Sequence, residues 1–297
     1  MHKSKYFFPA ILVAGASLFS GCFDPGTATD APAQEGSASA TPASIKIAAT
    51  WVLGGNPGDI VAFTGISPSN SGWALDAAYT PKPEGGHALR RFSGGTSTIV
   101  PGGLTDLDIV GNNEIWGVND IGGVFKNSSP INADGGTWVQ LKTPAPARRI
   151  ATGANGAAYI LSTTTVYGGY TLYKYSGSGT EASSWQLISA GLIEIDVDNN
   201  GDLWGVNVLG EAFCLPLGNP NGKWQRKSSS VNEVNIAAGA GNIYIMTTKR
   251  VYGGYALKKW NGAAFVDIDG GLMDIQVDAG GRLWGANEVH DILRYVP

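Results

Sequence analysis

Two short stretches of the chain join aromatic rings to paired glycines. Val166-Tyr167-Gly168-Gly169-Tyr170-Thr171-Leu172 recurs further on as Val251-Tyr252-Gly253-Gly254-Tyr255-Ala256-Leu257. Gly85-Gly86-His87-Ala88-Leu89 is a weaker copy, at nearly the same interval before the first. Tyrosine offers a flat apolar face and a polar tip. Paired glycines let backbone approach a ligand closely. Tyr167, Tyr170, Tyr252 and Tyr255, with His87 in the weaker copy, therefore suit stacking against the C–H face of a sugar ring. The same loops can also pack on themselves. Arg250 stands beside the last copy and could meet an anionic sugar. Thr165 holds that place in the first, so the sequence does not repeat the charge.

A second set of residues ends three related stretches: Asn119, Asn207 and Asn287. A carboxamide has paired donors and acceptors that suit vicinal hydroxyls, but asparagine is also a turn-capping residue. Each follows a tryptophan by three positions: Trp116, Trp204 and Trp284. An indole can stack on a sugar, yet these lie mid-strand, where packing between neighbouring layers is the plainer role.

Other chemistry finds little support. Asp196, Asp198 and Asp202 with Asn199 and Asn200 resemble a calcium loop in composition but lack its glycine and terminal glutamate spacing. No His/Cys group has metal-ligand spacing, and no Gly-x-Ser-x-Gly elbow is present. Cys214 reads as a small buried apolar residue. The chain is expected to bind rather than to catalyse, without a cofactor or metal.

The elements that must position these residues are short strands. Leu203-Trp204-Gly205-Val206-Asn207 has near-copies at Ile115–Asn119 and Leu283–Asn287, so that Trp116, Trp204 and Trp284 recur at near-even intervals. Such a period signals a repeat architecture. From residue 45 the chain divides into six units of about 42 residues and four strands each, the signature of a β-propeller. The last unit has only three strands before the chain ends. Thr50-Trp51-Val52 matches the outer strands Thr137-Trp138-Val139, Ser184-Trp185-Gln186 and Lys223-Trp224-Gln225. The strand around 45–53 is therefore expected to complete the last blade and close an all-β, six-bladed ring. Odd units carry the tyrosine loop between second and third strands, and even units carry the Trp-Gly-Val-Asn strand. The genetic unit is thus a pair of blades, present three times.

Composition agrees with many strands and tight turns: 43 glycines, 9 tryptophans and 15% charged residues, against about 25% in an average domain. A basic start at Lys3 and Lys5, an apolar run and Ser20-Gly21-Cys22 mark residues 1–21 as a signal segment. Their loss would take the formal charge from −4 to −6. An acidic chain without a Lys/Arg cluster argues against nucleic acid. Residues 22–44, rich in Ala, Ser, Thr, Pro and Gly, read as a tether. Residues 45–297 form the folded part, expected to be a monomer.

Ser20-Gly21-Cys22 resembles a bacterial lipobox, although Phe19 stands where leucine is usual. That resemblance implies lipidation of Cys22, a membrane anchor and, with Phe23 following, a cell-envelope location on the outer membrane. The outer-strand tryptophans, Gly191-Leu192-Ile193-Glu194-Ile195-Asp196-Val197 and Gly201-Asp202-Leu203-Trp204-Gly205-Val206-Asn207 resemble the tectonin repeat of tectonin and tachylectin-type propellers. The resemblance spans 45–297 and is closer in the even units. It implies a lectin-like propeller that recognises glycans or lipopolysaccharide. An envelope scaffold that holds a protein partner is the other function such a ring could serve.

Overall fold

The computed structural model describes residues 60–295, apart from 67–71, 77–78, 81, 94–95, 111–113, 128–135, 154, 219–221, 229–231 and 279. The described residues lie in one compact unit spanning 43–297. The first blade comprises β1 (Ile60–Ile66), β2 (Gly72–Asp76), β3 (His87–Ser93) and β4 (Thr96–Leu104). The second holds β5 (Asp106–Val110), β6 (Glu114–Val118), β7 (Val124–Asn127) and β8 (Trp138–Leu141). The third holds β9 (Ala147–Thr152), β10 (Ala158–Val166), β11 (Gly169–Tyr175) and β12 (Trp185–Leu192). The fourth is β13 (Glu194–Val197), β14 (Leu203–Val206), β15 (Ala212–Leu215) and β16 (Gln225–Arg226), and the fifth is β17 (Glu233–Gly239), β18 (Asn242–Val251), β19 (Gly254–Trp260) and β20 (Phe265–Leu272). The sixth has β21 (Asp274–Val277), β22 (Leu283–Ala286) and β23 (Ile292–Arg294).

Every sheet is an antiparallel meander in chain order. The innermost strands β1, β5, β9, β13, β17 and β21 touch in that sequence, and β21 returns to β1. The result is a six-bladed propeller. The expected closing strand at 45–53 and Trp51 lie outside the described residues.

Hairpin chemistry sets the blades. In the fourth, Asp198 Oδ1 accepts from the Asn200 and Asp202 amides, each at 2.9 Å. Gly201 then takes the positive φ of 84° that the turn requires. Asp278 holds the sixth-blade turn in the same way through Gly280 and Arg282. The acidic run around Asp198 thus serves a turn, and no metal-binding cluster occurs among the described residues.

Two kinds of junction alternate around the ring. From even to odd blade the contact is aromatic. Trp116 is buried and meets Tyr175 and Trp185 edge-on at 5.3 and 6.5 Å between centroids. Trp204 packs on Trp260, and Trp284 joins Phe92. A cation lies over each indole: Lys126, Lys227 and Arg294. These tryptophans hold blades together, as their mid-strand position suggested.

The inner strands are latched by carboxylates. Asp108 Oδ2 accepts from the Thr152 amide at 2.6 Å and hydroxyl at 2.9 Å in the next blade. Asp196 does the same for the Ala238 amide at 2.6 Å. Arg149 pairs with Glu194 across the third junction at 2.9 Å. Burial pushes the Asp108 carboxyl up to about 6 against its hydrogen bonds from Thr152 and Ile109. Burial, with Glu194 adding to it, raises Asp274 to about 7.

Candidate functional site

From odd to even blade the junction is built differently, and the tyrosine loops lie there. Val166 pairs with Gly169 and Val251 with Gly254, leaving two-residue tips, Tyr167-Gly168 and Tyr252-Gly253. Gly168 and Gly253 take φ values of 91° and 87°, which a side chain would resist. With the turn made by glycine, the first tyrosine projects outward. Tyr167 is 92% exposed and Tyr252 98%.

Each tip is tied to the next blade. The Val208 amide donates to the Gly168 carbonyl at 2.8 Å, Glu288 to Gly253 at 2.9 Å and Asp120 to Gly85 at 2.9 Å. The tip also rests on its own blade's outer strand. A Cβ on Gly191 would run into the Tyr167 carbonyl, and the same holds for Gly271 against Tyr252 and Gly103 against Glu84. These glycines belong to Gly102-Gly103-Leu104, Ala190-Gly191-Leu192 and Gly270-Gly271-Leu272, of which Gly191-Leu192 also opens the run that resembles the tectonin repeat. Leu104, Leu192 and Leu272 recur at the same spacing as Trp116, Trp204 and Trp284, so the signal was present.

Grooves open beside the tips. One of about 400 Å³ is bordered by Tyr252, Gly253, Gly271, Asn287, Leu293 and Tyr295. Its counterpart between the first and second blades, about 330 Å³, runs along Glu84, Gly85, Gly103, Asn119, Phe125 and Trp138. The Trp138 indole nitrogen is buried there without a hydrogen-bond partner among the described residues. At the third-to-fourth junction, Trp224 donates to the Ser189 carbonyl at 3.0 Å instead.

Asn119 and Asn287 border these grooves, but all three asparagines are engaged in their own turns. Asn207 Oδ1 accepts from Leu209 and Glu211 at 3.0 and 2.9 Å, and its Nδ2 donates to Glu211 at 2.9 Å. Asn287 repeats the arrangement with Val289 and Asp291. Asn119 Oδ1 accepts from Gly123 at 2.6 Å. Of the two roles the sequence left open, the geometry displays the turn cap.

Tyr170 and Tyr255 stand half-buried beneath the tips, each with a guanidinium over its ring. Arg250 lies 4.5 Å from the Tyr255 centroid. Arg148, from the start of β9, lies 3.9 Å from that of Tyr170. The charge that the sequence did not repeat is therefore repeated in space, delivered by a different strand. At the first blade His87 takes the tyrosine's place. Burial and then Lys82 lower its pKa, which favours the neutral imidazole. Its Nδ1 is buried without a hydrogen-bond partner among the described residues. Cys214 is buried, and its thiol is pushed up to about 12 by that burial, so it offers no nucleophile.

Fold and site together define a six-bladed β-propeller with one loop assembly repeated at its odd-to-even junctions and a groove beside two of them. The chain belongs to the tectonin family, whose Tectonin domain matches residues 104–297. No curated protein sequence matches it. Among solved structures it is similar to regucalcin, a calcium-binding protein from Agrobacterium tumefaciens (14% identity, 82% of this chain and 92% of that one, TM-score 0.56). It also resembles a streptogramin B lyase (14%, 82% and 95%, TM-score 0.53) and a structure of YCF48 bound to D1 peptide (14%, 80% and 77%, TM-score 0.51). At such identities the likeness is one of fold.

Proposed function

We propose that this tectonin propeller is a carbohydrate-binding, lectin-like protein. The observation that carries the reading is the pair Tyr167 and Tyr252: two large rings held almost wholly in solvent by glycine turns, on hairpins fixed to the next blade. An exposed ring on a rigid turn loses little entropy on stacking against a ligand. The groove beside Tyr252 supplies apolar walls with a few polar groups, the usual make-up of a small-ligand site. Lipidation at Cys22 would hold the ring at a membrane, on the cell envelope, where glycans or lipopolysaccharide are within reach.

A glycan array probed with the purified protein tests the reading. Binding to a defined set of sugars, reduced in Tyr167→Ala/Tyr252→Ala, is expected; a flat response across sugars and lipopolysaccharide would contradict it. A protein-holding scaffold is the second reading. It is favoured by the exposed apolar side chains Ile121, Val208, Leu209 and Val289 on the even-blade turns next to the tips. Free sugar should not displace a partner held that way.

A further inference from the structure

Arg148 and Arg250 occupy unrelated sequence positions. Arg250 belongs to the tyrosine hairpin, directly across from Tyr255 in the β18–β19 pairing. Arg148 comes from the innermost strand, and its counterpart in the fifth blade is Val234, packed among apolar neighbours. Yet both guanidiniums lie on the same ring of the same repeated hairpin, below the exposed tyrosine tip. Two different strands thus supply a cation to one repeated place.

The stacking leaves hydrogen-bonding capacity on those cations unused. A guanidinium lying on an aromatic face uses its own face, while its N–H donors point outward in its plane. Buried donors are normally hydrogen-bonded, but Arg148 Nε is buried with no hydrogen-bond partner among the described residues. Val208, which reaches this hairpin through Gly168, brings no charge. Arg250 is 56% exposed; its Nη1 contacts the Met273 sulfur at 3.2 Å and comes within only 3.9 Å of Glu288. A thioether is a weak acceptor, and so exposed an ion pair is weakly held. The first-blade junction differs: Glu84 stands at the tip and Asp120 beside it. Glu84 there replaces Tyr167 and Tyr252, and His87 replaces Tyr170 and Tyr255.

We infer, building on the carbohydrate reading, that the Arg148–Tyr170 and Arg250–Tyr255 pairs make the third-to-fourth and fifth-to-sixth junctions sites for an acidic saccharide, its anionic group on the guanidinium fork and its ring against Tyr167 or Tyr252. A planar carboxylate fits the fork in two parallel hydrogen bonds, and a phosphate ester fits it as well. The first-to-second junction is not such a site.

Matched pairs of polymers separate the outcomes: polygalacturonate against its carboxyl-reduced galactan, and phosphorylated mannan against the same mannan after phosphatase. The whole protein is titrated with each. The acidic member of at least one pair is expected to bind at least tenfold more tightly, with the margin shrinking as salt rises from about 50 to about 500 mM. Arg148→Gln and Arg250→Gln should each narrow the margin and the double variant remove it. Arg148→Lys should retain part of it, and Lys142→Gln, in the exposed pair with Glu181, should leave it whole. Equal affinity for acidic and neutral members overturns the inference and leaves the carbohydrate reading standing. An acidic preference untouched by the arginine variants also overturns it, placing the anion elsewhere. Binding to none of the four, with a flat glycan array, removes the carbohydrate reading itself. The salt titration of the unaltered protein needs no variant to fold.

Discussion

Leu192 Cδ1 occupies the space that a β-carbon on Gly205 would need, 2.6 Å from where it would sit. Leu192 ends the outer strand of the third blade, and Gly205 is the glycine of Trp-Gly-Val-Asn in the fourth. Leu104 over Gly117 and Leu272 over Gly285 repeat the relationship. Each odd blade thus plugs a leucine into the next, directly beneath a tyrosine hairpin or its first-blade equivalent. Gly205→Ala is expected to destabilise by about 1–3 kcal/mol, the usual cost of overpacking a filled core. Thermal unfolding checks this, and Gly205→Ala combined with Leu192→Ala should lose less than the sum of the two single variants if the two side chains compete for one space.

Tyr167→Ala and Tyr252→Ala should leave stability within about 0.5 kcal/mol of the parent, as exposed positions do. Saccharide binding should nevertheless fall at least tenfold in the double variant. Trp204→Ala should do the reverse on stability, costing about 3–5 kcal/mol as a buried aromatic does. Denaturant melts and titrations run side by side separate the two roles of aromatic residues in this chain.

Stability should rise as the medium is acidified from pH 8 to pH 5. Asp108 titrates at about 6 and Asp274 at about 7 when folded, but at about 4 in an unfolded chain. Between those values the folded protein binds more protons, so protonation favours it. The contribution is fully present below the unfolded value and is lost as pH climbs through the folded one. The expected gain is on the order of 1 kcal/mol, read from urea midpoints. Asp108→Asn should flatten the slope.

Removing residues 45–55 should lower the melting temperature by several degrees, well beyond what an exposed tail of that length would do. β23 has one strand partner among the described residues, and the described lining of the groove beside it lacks the outer-strand tryptophan that Trp138 and Trp224 provide at the other junctions. Trp51→Ala should reproduce much of the loss if that segment completes the sixth blade. An unchanged melt would contradict ring closure by the N-terminal strand.

The ring, its six units and its pairing into three were legible because they rest on local period: the near-even recurrence of Trp116, Trp204 and Trp284, and glycine turns between alternating strands. The outward tyrosines were legible for the same reason, since Gly168 and Gly253 dictate the tips. Arg148 was not. It lies two strands before Tyr170 in the chain, and only the pairing of β9, β10 and β11 brings the two together. The asparagines were ambiguous because a carboxamide that caps a turn and one that grips a hydroxyl are the same residue in sequence. The distances from Asn207 to Glu211 and Leu209 display the cap.

A crystal structure of the protein with a bound saccharide tests the central claim most directly. The account predicts sugar rings lying against Tyr167 and Tyr252 at the third-to-fourth and fifth-to-sixth junctions. Saccharide bound in the central channel or on the opposite face, with both tyrosines free, would contradict it.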